Sequence, residues 1–187
     1  VGVFPGCLGR SRPGSDTPGP GVRSVDSQPF AIRNDRPPWD EAGAPGRLAL
    51  IDGEERARDL FESYDLPEER ADALEAFTAE MAYDEERLLF VESVGPNACH
   101  DRIEVTNVRL AEGELKADAE VLDTSEGDVG CAEVITYPST LVRIAFEESP
   151  PDSARVELTD GWDETATLAA TVDEPIALAA VAFDLRK

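Results

Sequence analysis

From Arg87 onward the chain alternates apolar and polar residues with a period near two, broken by short polar clusters. Side chains of an extended strand point alternately to opposite faces, so this rhythm predicts strands with one buried face. "RLLFVESV" opens the series. "RIEVTNVRL" puts Ile103 and Val105 in phase, then slips to Val108 and Leu110, which predicts a bulge at Thr106–Asn107. "LKADAEVL" alternates cleanly through Leu115, Ala117, Ala119 and Val121. "CAEVITYP", "TLVRIAF", "ARVEL", "ATLAATV" and "IALAAVAFDL" follow. The last is almost wholly apolar and reads as a strand buried on both faces. Many short strands at roughly ten-residue spacing, parted by "SPPDS", "TDGWDE" and "DEP", indicate a sandwich or barrel.

Upstream the period changes. "RLALI" (47–51) is a short strand candidate. In "DGEERARDLFESY", Asp52 followed by Glu55 forms a capping-box pattern, and Ala57, Leu60, Phe61 and Tyr64 share one helical face. A second helix begins near Pro67, suited to a first turn, with a weaker stripe of Ala71, Leu74 and Phe77. The expected fold is α+β and mainly β: an antiparallel β-sandwich or partly open barrel with two short helices near its N-terminal side, in one domain over 47–187. Residues 1–46 are rich in proline and glycine and read as a tether, too poor in apolar surface to offset its ordering entropy. Two stretches stand out within it. Trp39, in "PPWD", is a candidate to dock on the domain or on a partner. "SQPFAIR" (27–33), centred on Phe30, could add a strand to a neighbour's sheet.

Charge narrows the setting. Asp and Glu number 40 against 17 Lys and Arg, a net charge of -23, and Lys116 and Lys187 are the only lysines. Such a carboxylate-dense surface resembles proteins of extreme halophiles; at molar salt the Debye length is about 3 Å and self-repulsion is screened. With no basic stripe, nucleic-acid binding is not expected. No run reaches about 18 apolar residues, the length that would suggest a spanning helix. The opening "VGVFPGC" resembles the end of a lipoprotein signal, which makes Cys7 a candidate for lipidation; two acyl or ether-linked chains there would anchor the protein stably on the extracellular face of the cytoplasmic membrane.

Cys99, His100 and Asp101 adjoin, and His100 is the only histidine. With Cys7 lipidated, Cys99 and Cys131 remain as a pair. Outside the cell they would form a disulfide closing a loop of about 30 residues, worth roughly 3–4 kcal/mol. The rival is a nucleophilic thiol. Extended neighbours point to opposite faces, so Cys99 and His100 are poorly placed for proton transfer. No catalytic residue, cofactor or metal is therefore expected. "DTSEGDVGCAEV" opens like a calcium loop with Asp123 and Ser125, but has Asp128 where glycine is needed and Val134 where glutamate is needed. A solvated acidic loop is the preferred reading, with a loose calcium site among Asp123, Glu126 and Asp128 as its alternative. Tyr137 in "ITYP" and Trp162 in "DGWDE" are the loop aromatics placed to meet a partner.

Over about residues 84–146, "DEERLLFVESVGPNACHDRIEVTNV" followed by "ITYPSTLVRI" resembles the PrcB-like family of secreted protease-complex subunit domains. Thr136, Tyr137 and Pro138 fall where that family has a Thr-x-Pro-type stretch. Asn97, Ala98, Cys99 and His100 stand where its turn usually reads Thr-Gly-Gly-Tyr. The resemblance implies a non-enzymatic β-domain that binds another envelope protein. The expected role is thus a membrane-anchored accessory module. The alternative is a structural subunit of a surface filament or layer that self-associates through its N-terminal arm.

Overall fold

A computed structural model describes residues 18–125 and 130–176. Within them, eight strands and three helices build a sandwich with a helical layer on one side. The first sheet is antiparallel throughout, in the order β1 (Val22–Arg33), β6 (Tyr137–Phe146), β3 (Glu86–Ser93), β2 (Gly46–Ile51). The second runs β4 (His100–Ala111), β5 (Glu114–Asp123), β7 (Ser153–Thr159), β8 (Thr165–Thr171). There β5 and β7 are parallel, because the chain leaves for β6 in the other sheet between them. The expected antiparallel sandwich is therefore mixed at this one seam.

The alternating residues meet between the sheets. Leu48, Leu50, Leu89, Val91 and Val142 from one side pack with Val105, Leu115, Val156, Leu158 and Leu168 from the other. A second core lies on the far face of the first sheet, where α2 (Glu54–Glu62) and α3 (Glu68–Thr78) bring Ala57, Leu60 and Leu74 against Phe30, Ile51, Leu88, Phe90 and Leu141. The central strand β3 is covered on both faces, which is why "LLFV" within it is a continuous apolar run. The bulge in β4 falls where the phase slip places it: register shifts between Thr106 and Arg109, with Asn107 at φ 52°.

Several expectations need correction. Residues 18–46 are not a tether. Val22–Arg33 is a twelve-residue strand paired with β6, and Pro38–Glu41 forms a short helix, α1. Phe30 is wholly buried among Phe61, Tyr64 and Phe90 at centroid distances of 4.8–5.7 Å. The proline and glycine of this stretch shape turns and a bulged edge strand, so the domain starts upstream of residue 47. "SQPFAIR" adds its strand to its own sheet, with Gln28 opposite Leu141. Asp52 does not cap α2; extended Gly53 holds that place and Asp52 pairs with Arg56 at 3.5 Å. Pro67 is the residue before the first turn of α3. "CAEVI" is not a strand: only Thr136 pairs there, with Gly95, before β6 starts at Tyr137. Cys7, Glu126, Asp128 and all of "IALAAVAFDL" after Ile176 lie outside the described residues. Among those described, no helix is long and apolar enough to cross a membrane.

Candidate binding surface at one end of the sandwich

Strand register gathers four connections at one end. Arg33 lies opposite Tyr137, Gly46 opposite Ser93, His100 opposite Asp123, and Thr159 opposite Thr165. Segments 34–45, 94–99, 124–136 and 160–164 therefore close the same end.

These segments are cross-braced. Cys99 and Cys131 form a disulfide, with Cα atoms 5.6 Å apart. Gly95 and Thr136 exchange two main-chain hydrogen bonds of 2.8 and 3.0 Å. The Thr136 hydroxyl donates to the His100 carbonyl at 2.7 Å, and the Ala98 N–H to the Ala132 carbonyl at 3.0 Å. A Cβ on Gly95 would sit 2.4 Å from the His100 Cβ, so no larger residue fits that close approach. In the 160–164 turn, buried Asp160 accepts from the N–H groups of Trp162 and Glu164 at 2.8 and 3.0 Å. The Gly161 N–H donates to the Val94 carbonyl at 2.9 Å, which docks this turn on the neighbouring loop.

The Cys-His-Asp triplet does not converge. Cys99 is in the disulfide, the His100 Nδ1 lies 3.0 Å from the Asn97 Oδ1, and the Asp101 carboxylate accepts the Thr124 hydroxyl at 2.8 Å. Each side chain braces a loop. The sulfurs of Cys99 and Cys131 and the Asp123 carboxylate lie within 4.8 Å of one another, but disulfide sulfur is not the thiolate that a metal requires. Asp123 instead accepts the Ser125 N–H at 2.8 Å, which holds its carboxyl below the usual range.

Beneath the loops is a buried polar cluster. Trp39 packs edge-on against Tyr137 at 5.6 Å, and its Nε1 donates to the Glu92 Oε2 at 2.6 Å. The Tyr137 hydroxyl donates to Asp40 at 2.9 Å; burial and that bond push the phenol up to about 12. Glu92 is fully buried, and burial pushes its carboxyl up against the opposing pull of the Trp39 N–H and of Arg33, 3.7 Å away. The Arg33 guanidinium in turn lies over the Tyr64 ring at 4.9 Å.

The sequence candidates thus divide. Trp39, Tyr137 and Phe30 are core residues and cannot meet a partner directly. Each fills space made by segments distant in sequence, which its own surroundings did not reveal. Trp162 is 48% exposed. Ile32 of the proposed arm joins it at 53%, with two residues not expected as contacts, Ile135 at 47% and Val134 at 39%. These four are the exposed large hydrophobic residues among those described, and all stand at this end. Val134 and Ile135 lie in "CAEVI", whose strand composition conceals a loop, and Ile32 lies on the exposed side of the strand "SQPFAIR". Beside Ile32, a cleft of about 720 Å³ opens between the end of β1 and the α2–α3 connection, with Arg33 and Arg70 on its walls.

The described part of the chain is thus a helix-backed, mainly β sandwich with a disulfide-braced loop end. No family model, curated protein or solved structure matches it.

Proposed function

We propose that this chain is an extracellular accessory module, anchored through a lipid on Cys7, that binds another envelope protein with its loop end and catalyses nothing. One observation carries this reading: Ile32, Val134, Ile135 and Trp162, the exposed large hydrophobic residues among those described, all lie at one end whose loops are fixed by a disulfide and converging hydrogen bonds. Exposed apolar groups cost solvation, and presenting them on rigid loops favours association, because little loop freedom is lost on binding. The engagement of Cys99, His100 and Asp101 in loop bracing supports a passive role for that triplet. The resemblance over 84–146 to PrcB-like domains makes an envelope protease complex the first partner to look for. The strongly acidic surface supports a high-salt setting.

A filament subunit that lends residues 27–33 to its neighbour would first have to give up their pairing with β6. The contact end carries no such cost, and so it is the preferred reading.

Crosslinking and pull-down from intact envelopes in molar salt tests the proposal. Trp162→Ala is expected to weaken capture roughly 30-fold, the loss of a central aromatic anchor. Undiminished capture by a folded variant lacking both Trp162 and Ile135 side chains would sink it. Mass spectrometry of the native N-terminus checks the lipid on Cys7.

A further inference from the structure

A sheet edge presents unpaired main-chain donors and acceptors, and proteins guard such edges. Three of the four edges here are guarded. β1 carries Pro29 and two register shifts, and Arg70 donates to the Pro29 carbonyl at 3.2 Å. β4 is shifted at two points, and the Gly19–Pro20 segment bonds to its Val108 and Leu110. β2 is buried along its whole length; Arg56 donates to the Leu50 carbonyl, while Arg47 and Arg56 hold the carbonyls of Ile176 and Glu174 beside it.

β8 differs. "TATLAAT" has no charge and no proline, and its ladder with β7 runs from Thr159–Thr165 to Ser153–Thr171 without a shift. The Thr171 N–H donates to the Glu174 carboxylate at 3.3 Å, so it faces away from β7. By alternation the main chains of Thr165, Thr167 and Ala169 face the same way. Among the described residues, no hydrogen bond outside the β7 ladder reaches these three main chains.

We infer that the open edge of β8 pairs antiparallel with β8 of a second copy of this chain. The strand is complementary to itself. Centred on Leu168, the pairing sets Thr167 against the partner's Ala169, so that their outward-facing main chains meet, and Thr165 against the partner's Thr171, whose N–H exchanges the Glu174 carboxylate for the new strand; no charges oppose within the strand. The order of the second sheet then becomes β4-β5-β7-β8 joined to its two-fold mate, and its remaining edge is β4, which Gly19 and Pro20 cover. The assembly closes as a dimer and does not grow into a fibre. Asp163 and Glu164 before the strand come to lie near Asp173 and Glu174 after it in the mate. Those carboxylates oppose pairing in dilute buffer and are screened in molar salt. The dimer therefore strengthens with salt, the reverse of an interface held by ion pairs.

Sedimentation of the whole chain over a range of protein and salt concentrations tests this. A monomer–dimer equilibrium that tightens with salt is expected. Thr167→Pro removes one outward N–H per chain at a position an edge strand tolerates, and should weaken association by about tenfold or more. A chain that stays monomeric in molar salt at every concentration overturns the inference. So does a dimer indifferent to Thr167→Pro. If that variant does not fold, Thr167→Cys with Ala169→Cys decides: oxidation must link residue 167 of one copy to 169 of the other, and a dimer lacking that link refutes the pairing. None of these outcomes depends on capture of a partner at the loop end.

Discussion

Glu92 shows what one residue can hide. In "FVESV" it occupies a polar place in an apolar run, yet it is fully buried, with Trp39 and Arg33 as partners from more than fifty residues earlier. Its carboxyl is raised in the folded state. Between the unfolded carboxylate value and the folded one, the native protein binds the extra proton, so stability falls as pH rises through that window and is recovered as pH falls. Thermal melts of the wild type should therefore gain on Glu92→Gln as pH is lowered from neutral toward the ordinary carboxylate range, since the amide does not titrate. A parallel pH dependence in the two proteins would contradict this. Glu92→Ala leaves the buried Trp39 N–H unmatched, while Arg33 keeps Asp35 at 3.2 Å, and should cost about 1–3 kcal/mol. Local pattern could not reveal this site, because its partners are assembled by tertiary structure. Trp162 was legible, since "DGWDE" is a turn in any context and leaves its central side chain outside.

At the scale of elements, period-two alternation located β4, β5, β7 and β8, a continuous apolar run located β3, and the phase slip located the bulge in β4. It failed for β1 and for 131–135, from opposite causes. β1 is an edge strand broken by register shifts at both ends, with Pro29 inside it, so its polar and turn-like residues mask a strand. Residues 131–135 have strand composition, but the disulfide to Cys99 and the Gly95–Thr136 bridge fix them as a loop. The parallel seam between β5 and β7 has no local signature, because it depends on where β6 goes. The burial of Phe30 separates strand from tether by experiment. Phe30→Ala should cost about 3–5 kcal/mol in chemical denaturation; a position in a solvated leader would register almost nothing.

For the whole molecule, composition sets the electrostatics. A charge of -23 on 187 residues gives strong self-repulsion, and the nine ion pairs among the described residues draw on eight basic side chains, Arg33 serving in two. Added salt should raise the melting temperature steadily into the molar range, with sodium or potassium chloride giving the same trend. A melting temperature that falls with salt would mean that exposed ion pairs outweigh repulsion. The route of the chain has a kinetic consequence. It passes from one sheet to the other between β3 and β4, again between β5 and β6, and back between β6 and β7. Neither sheet can be completed before the other has begun, so the search for the native state is dominated by distant pairings and should be slow, on the order of milliseconds to seconds. The Cys99–Cys131 link joins residues 32 apart in sequence, encloses the β4–β5 hairpin and ties the second passage to the end of the first, which shortens that search in advance. In stopped-flow refolding, the oxidised chain should reach its native fluorescence sooner than a variant with serine at both positions.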